Sequence, residues 1–134
     1  MNEGKYVLRC SRNQLRVIQN ALECYFRTHM GQFFDLASDI AYQDEEDHHE
    51  AANRRNEAQD YFDIAYRIAT GGNIRNKTDD MQNAIDMWHV IRHLFWIENP
   101  NRSNDTTDSY PPFPIAGESL CEIEKIEPYG EKKK

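Results

Sequence analysis

The sequence predicts a mainly α-helical fold, a compact bundle of about four helices with a short two-stranded β ribbon from the N- and C-terminal segments. Four segments space their apolar residues three and four positions apart, as one face of a helix does. Capping residues or helix breakers border these segments. Residues 5–10 and 119–128 are instead rich in strand-forming residues, and a ribbon of two strands needs helix packing to be stable.

The first helix is predicted to begin at about Arg12 and to end near His29. Ser11 and Gln14 have the spacing of a capping box, in which two side chains satisfy amide groups at the start of a helix. Gly31 can take the left-handed conformation that ends a helix. Residues 32–42 then predict either a shorter second helix or a continuation of the first helix beyond a kink. The conformation of Gly31 distinguishes these two alternatives.

The third helix is predicted to be half exposed. Residues 43–59 contain no large apolar side chain, whereas the part that follows carries apolar residues on one face. These residues are Tyr61, Ile64, Ala65 and Ile68. Gly71 and Gly72 are the strongest helix breaker in the sequence and predict the end of this helix.

The fourth helix is predicted from about Asp79 to Ile97, with Thr78 as its N-cap. A helical wheel separates a broad apolar face from a polar side. The apolar face consists of Ala84, Met87, Trp88, Ile91, Leu94 and Phe95, and the polar side consists of Asp86, His89 and His93, with Arg92 at the border. His89 and His93 are spaced like metal ligands, but no glutamate follows the first histidine as in zinc peptidases, so a solvated or hydrogen-bonding role is favoured.

One helical domain is expected over residues 1–128, followed by a charged flexible tail at 129–134. Residues 98–117 have loop composition, and a loop of this length is unusual in a compact domain. Tyr110 and Phe113 lie in it. The loop is therefore either a lid that folds aromatic rings over a ligand or a structural cover for the helices.

Composition excludes several classes of function. A net charge of -7 argues against sequence-independent binding to nucleic acid, which depends on neutralising phosphates. The three cysteines are far apart and predict neither disulfides nor a zinc site. No apolar run has the length of a membrane span, about 18 residues, so a cytoplasmic protein is expected. Motifs of nucleophilic or nucleotide-hydrolysing enzymes are missing, which predicts a non-catalytic protein without metal or cofactor.

An acidic cluster provides the enzymatic alternative. Helical nucleotide pyrophosphatases bind magnesium through EExxE and ExxD motifs on antiparallel helices. The sequence departs from this pattern, because His49 replaces the third glutamate and Asp60 the glutamate of the second motif. A solvated charged face is therefore the favoured interpretation. The residues of the enzymatic alternative are Glu45, Glu46, Glu50, Asp60 and Asp63.

Basic residues cluster around the first strand and helix. Arg12 and Arg16 are one helical turn apart, as a phosphate clamp requires, although an ordinary charged surface is the competing interpretation. Together with the histidines of the fourth helix and the aromatic residues of the long loop, they form the predicted ligand-binding set. Its members are Arg12, Arg16, Arg27, His29, His89, Arg92, His93, Tyr110 and Phe113.

Three segments, YVLRCSRNQLRVIQNALECYFRTHMGQF, VIRHLFWIENP and TTDSYPPFPIAGESL, resemble small helical proteins encoded by phages and prophages. The resemblance assigns no activity and no site residue. It implies a context, the cytoplasm of an infected bacterial host, in which small accessory proteins block host defence.

Three functions are compatible with these observations. The first is sequestration of a nucleotide-derived immune signal, in which aromatic rings stack on a base and arginines hold phosphates. The second is inhibition of a host defence protein, with the acidic segment 44–50 docking on a basic surface. The third is magnesium-dependent nucleotide hydrolysis. A homo-oligomer is also expected, because many large apolar residues compete for one small core. Those residues are Phe33, Phe34, Trp88, Phe95 and Trp96.

Overall fold

Four α-helices make up the regular structure of the protein. The structure is a computed structural model and describes residues 4–43, 47–73, 76–103, 109–114 and 120–126. The helices are α1 (Arg12–His29), α2 (Phe34–Ala41), α3 (His48–Thr70) and α4 (Asp79–Glu98). The prediction of a mainly helical fold with about four helices is confirmed.

The predicted β ribbon is not formed by the described residues. Residues 5–10 and 120–126 contain no strand, and the remaining residues of the second predicted strand lie outside the described ranges, as does the tail at 129–134. Tyr6, Val7 and Leu8 are almost fully exposed. Neither face of this N-terminal segment packs on a helix, so the support that a two-stranded ribbon requires is missing there.

The ends of α1 follow the sequence signals closely. The Ser11 hydroxyl accepts a hydrogen bond from the Gln14 amide (3.1 Å), and the Gln14 side chain accepts one from the Ser11 amide (2.9 Å), which completes the capping box. Gly31 has a φ angle of +80°, and the next amide, that of Gln32, donates to the Arg27 carbonyl at 2.8 Å. This left-handed turn ends α1, and α2 is a separate short helix.

Local caps also set both ends of α3 and the start of α4. The Asp47 carboxylate accepts hydrogen bonds from the His49 and Glu50 amides, at 3.0 and 3.1 Å, so α3 begins only at His48. Gly71 ends α3 in the left-handed conformation, with φ of +69°. Thr78 caps α4 by accepting a hydrogen bond from the Met81 amide at 3.2 Å, as predicted.

The helices pack as two pairs. α1 packs against α4, α2 packs against α3, and α1 meets α2 at a corner, whereas α3 has no packing contact with α4 in the described residues. Arg12 at the start of α1 lies beside Phe95 near the end of α4, and Phe26 lies beside Trp88, so α1 and α4 are antiparallel. The packing therefore differs from a bundle in which every helix contributes to one core.

Each pair has its own apolar cluster. In the first pair, Phe26 is buried against α4 and meets the Trp88 ring edge-on, with ring centres 5.3 Å apart. The buried residues of α4 in this cluster are Met81, Ala84 and Ile85. In the second pair, Phe33 packs on Phe62 and Tyr66 with ring centres 5.6 Å apart in both cases. The Tyr66 hydroxyl also donates a 2.7 Å hydrogen bond to the His29 carbonyl, which ties α3 to the end of α1.

The polar side of α4 is not a solvated face. Asp86 is only 5% exposed, whereas Met87, assigned to the apolar face, is 39% exposed. Asp86 contributes to raising the pKa of Cys121, so this thiol lies within electrostatic range of Asp86. A helical wheel shows which residues share a face but not which faces other parts of the chain cover. The helical wheel placed Asp86 on the polar side of α4, and in the structure this polar residue is buried.

Candidate functional site

Basic and aromatic side chains meet where the start of α1 lies beside the end of α4. The Arg12 guanidinium lies 4.4 Å from the centre of the Phe95 ring, and the Arg16 guanidinium lies 5.9 Å from the same ring. The next residue, Trp96, projects about 100° further around α4; its ring stacks with His93 at 5.5 Å and has Arg102 at 5.2 Å. We call this group the cation–aromatic cluster; its members are Arg12, Arg16, His93, Phe95, Trp96 and Arg102.

The fold brings the cluster together from three parts of the chain. Antiparallel packing sets the first turns of α1 against the last turns of α4. After α4 ends, the chain folds back, because the Trp96 indole donates to the Ser103 carbonyl at 2.8 Å and Arg102 donates to the Ile97 carbonyl at 3.0 Å. These hydrogen bonds hold Arg102 against the ring of Trp96. The cluster is thus part of the folded end of the α1–α4 pair.

Positive charge is in excess at this end of an acidic protein. Arg12 forms an ion pair with Glu98, but its side chain remains 51% exposed. Arg16 is exposed and donates a 3.2 Å hydrogen bond to the uncharged Asn13 side chain, which leaves its charge unneutralised by that contact. Guanidinium groups stacked on aromatic rings keep their N–H edges directed outward. Such edges can bind phosphate or carboxylate groups.

A second group of predicted site residues lies on α4 next to the cluster. The Arg92 guanidinium lies 4.2 Å from the Trp88 ring centre, and His89 lies beside the same ring at 5.1 Å. Burial lowers the pKa of His89, the charge of Arg92 lowers it further, and the nearby Asp86 carboxylate opposes both. The helix therefore brings His89, Arg92 and His93 together, as their spacing predicts, but in half-buried positions.

Arg27 and His29 lie at the other end of α1. Arg27 donates to Glu23 at 2.7 Å and lies 3.1 Å from the Asp35 carboxylate, so two acidic groups take up its charge. His29 donates through Nδ1 to the Tyr25 carbonyl at 2.8 Å. Fifteen positions of α-helix separate Arg12 from Arg27, about 22 Å. A single small ligand therefore does not contact both ends, and the predicted set divides into two groups.

Tyr110 and Phe113 expose most of their side chains. Their exposed fractions are 70% and 66%. The interpretation in which these rings cover the helical core requires buried rings, and these rings are not buried. Their faces are instead open to an additional partner, which is compatible with the predicted lid.

Two grooves of the described surface lie away from the cluster. An open groove of about 210 Å³ separates α1 from α2, and a second space of about 350 Å³ adjoins it near Arg27. The charged residues in the lining of the first groove are all acidic, so this groove offers no positive charge to an anion. The charged residues that line it are Glu23, Asp35 and Asp39.

The acidic residues of the enzymatic alternative are only partly described. Glu45 and Glu46 lie outside the described residues, and Glu50 forms an ion pair with Arg54 at 3.2 Å. Within the described ranges, no three histidine, cysteine, aspartate or glutamate side chains are close enough to hold a metal ion. The described part of the chain therefore contains no assembled metal site.

Sequence reasoning missed half of the cation–aromatic cluster. Phe95 was assigned to the apolar core face, Trp96 was noted only for its size, and Arg102 was overlooked. These residues could have been predicted if the first and last helices had been expected to pair. That pairing sets two basic residues of α1 opposite the aromatic end of α4.

No protein-family model matches the sequence, and neither a curated protein nor a solved structure is detectably similar to it. Among the described helices, none combines the length and apolar character needed to cross a membrane. The fold and charge distribution describe a helical protein with a locally cationic end. The chemistry of the cation–aromatic cluster therefore carries the functional inference.

Proposed function

We propose that this protein binds a nucleotide-derived anion at the cation–aromatic cluster and sequesters it without catalysing a reaction. The observation that carries the proposal is the pair of guanidinium groups, from Arg12 and Arg16, at the Phe95 ring. Arginine binds phosphate through two parallel N–H groups. The resemblance to small phage proteins adds a setting, in which the anion is a signal of bacterial defence.

The two arginines have different roles in this proposal. Arg16 is exposed and has only an uncharged side chain as its hydrogen-bond partner, so a phosphate can approach it directly. Arg12 holds Glu98 when no ligand is bound, and a phosphate of higher charge would compete with that carboxylate for it. Because the cluster has an excess of positive charge, high salt should weaken binding.

The exposed aromatic residues can supply the stacking surface. The rings at the end of α4 already contact cationic side chains, whereas Tyr110 and Phe113 are open. Tyr110 follows Ser103 by seven positions, and a chain of that length spans at most about 25 Å. In this proposal, the segment after Ser103 brings the Tyr110 ring over a base bound at the cluster.

Titration calorimetry with a cyclic dinucleotide and with ADP-ribose tests this function. Arg16→Ala should weaken binding at least about tenfold, because charge-assisted hydrogen bonds are lost. Tyr110→Ala should weaken it by about 1 to 3 kcal/mol and leave the Tm of the free protein unchanged. Arg54→Ala is the matched control, since Arg54 is an exposed arginine on α3, which has no packing contact with α4.

Three outcomes would contradict sequestration. The first is that neither ligand binds and that protein purified from cells with active nucleotide signalling releases no small molecule on denaturation. The second is metal-dependent turnover of a nucleotide, which would support the hydrolase. The third is stable copurification of a single host protein without a bound nucleotide, which would support the inhibitor.

A further inference from the structure

An apolar stripe on α3 faces away from the rest of the protein. Tyr61, Ile64 and Ile68 are 65%, 48% and 77% exposed, and Ala65 lies exposed between them. We call these four residues the α3 stripe. The packed side of the helix is a different one, where Phe62 meets the Phe33 ring of α2. Because α3 has no packing contact with α4 in the described residues, helix packing leaves the stripe uncovered.

The stripe has the form of an interaction surface rather than of scattered apolar residues. Its large side chains recur at three- and four-residue intervals and form a ridge about two helical turns long. Toward the start of α3 the same face becomes charged, with Glu57 and Arg54. Soluble monomers rarely expose contiguous apolar patches, and tyrosine is enriched where such patches bind proteins.

Charge on one flank of the stripe indicates which partner it fits. Asp60 and Arg67 lie about 100° to one side of the stripe, both are exposed, and neither forms an ion pair with another described residue. Along α3, Asp60 and Arg67 lie at equal distances on either side of the midpoint between Asp63 and Ile64. When two copies of α3 pack antiparallel about a two-fold axis near that midpoint, equivalent flanks meet. Asp60 then faces Arg67 of the second copy, and the reciprocal pair forms on the other side of the axis.

We propose that the α3 stripe is a homodimer interface in which two copies of α3 pack antiparallel. In a parallel two-fold arrangement opposite flanks of the helix meet, so Asp60 and Arg67 would lie on opposite sides of the dimer and would not pair with each other. The antiparallel arrangement buries the three large apolar residues of each copy and pairs both charges of the flank. The same surface patch thus serves both subunits, as a two-fold interface requires.

Sedimentation equilibrium of the full chain over a range of concentrations tests the interface. The mass should rise from 15.8 kDa toward twice that value as concentration increases. Ile68→Glu should weaken association at least about tenfold, because a charge enters an apolar contact. The matched control is Val17→Glu on α1, where the replaced side chain is 65% exposed and lies on a different helix. This control should leave association unchanged.

A charge swap tests the antiparallel geometry. Arg67→Glu alone and Asp60→Arg alone should each weaken association about fivefold, since each sets like charges opposite each other. The double variant Asp60→Arg with Arg67→Glu should return association close to that of the unmodified protein. Circular dichroism of each variant checks that the helices are intact. Failure of the double variant to recover would overturn the antiparallel arrangement.

A protein that remains monomeric at all concentrations would overturn the dimer itself. The interface is separate from the cation–aromatic cluster, which α1 and the end of α4 form. Arg16→Ala should therefore leave association unchanged, and Ile68→Glu should leave binding of a nucleotide unchanged. The dimer and the proposed ligand site can thus fail independently.

Discussion

Burial changes the chemistry of two titratable side chains beside Asp86. Loss of solvation raises the pKa of the Cys121 thiol, and the negative charge of Asp86 adds to the effect. The thiol is therefore protonated at neutral pH and is not a nucleophile of the thiolate type. The pKa of His89 is shifted in the opposite direction, because burial and the charge of Arg92 both disfavour the cationic form of its ring. It is neutral at neutral pH and can donate and accept hydrogen bonds.

The lowered pKa of His89 predicts how stability depends on pH. Between that pKa and the ordinary value of 6.5, the unfolded chain binds more protons at this position than the folded protein does. The free energy of unfolding should therefore decrease as pH falls below 6.5 and should level off once His89 is protonated in both states. Urea denaturation from about pH 7.5 to about pH 5 measures this dependence.

Two variants assign this pH dependence to its source. His89→Gln should flatten the decrease, because the group responsible is removed. His49→Gln should preserve it, since His49 is exposed at the start of α3. An unchanged slope in His89→Gln would show that another group dominates.

At the scale of the elements, the junction between α1 and α2 depends on one glycine. Gly31 has a φ angle of +80°, and a Cβ atom there would lie 3.0 Å from Cε2 of Tyr66. The same Tyr66 donates its hydroxyl hydrogen bond to the carbonyl of His29. The glycine therefore allows both the left-handed turn and the close approach of α3 to the end of α1.

Gly31→Ala should destabilise the protein more than Gly71→Ala does. Both substitutions place alanine at a positive φ angle, which costs about 1 to 2 kcal/mol per residue. Only Gly31→Ala also displaces Tyr66, because a Cβ atom at Gly71 has no neighbour within 4 Å. Urea denaturation of the two variants measures how much the free energy of unfolding decreases in each. Equal losses would show that the Tyr66 contact tolerates a methyl group without cost.

Helix boundaries were predictable where local hydrogen bonds set them. Ser11, Thr78 and Gly71 act on residues within four positions of themselves, and the structure confirms all three. No first residue of α3 was predicted, because its cap, Asp47, stands within an acidic run. Hydrogen bonds between residues close in sequence can be predicted from the sequence, which explains why these helix ends agree with the structure.

Long-range packing accounts for what was missed. Arg12 and Arg16 were identified from their spacing, but Arg12 and its partner Glu98 lie 86 positions apart. Periodicity placed Tyr61, Ile64 and Ile68 on one apolar face, yet it does not show whether a partner helix covers that face. The electrostatic effect of Asp86 on Cys121 likewise joins distant parts of the chain. These features follow from how helices pair, which helical periodicity does not determine.

At the scale of the whole molecule, the two helix pairs have unequal cores. The α1–α4 pair buries large side chains, including Phe26, Met81 and Ile91. The α2–α3 pair buries Phe33 together with the small residues Ala37 and Ala51. Apolar burial stabilises by about 25 cal/mol per Å². The second pair therefore contributes less stabilising apolar area.

Hydrogen exchange should resolve this difference. Amides in the middle of α4 should exchange most slowly, and amides of α2 and α3 should exchange faster through local opening. Mass spectrometry measures the exchange rates of the four helices. The protein concentration should be low enough to dissociate any dimer, because a second copy would protect amides in its interface. Equal protection in all four helices would show instead that the molecule unfolds as one cooperative unit.

The pairing of the first helix with the last constrains how the chain folds as it is synthesised. α2 and α3 are consecutive and can pair as soon as both have emerged from the ribosome, whereas Phe26 on α1 has no partner until α4 is translated. Contacts between distant residues form late, and apolar surface exposed meanwhile promotes aggregation. The nascent chain must therefore carry the apolar face of α1 without its partner helix until Met81 and its neighbours have left the exit tunnel.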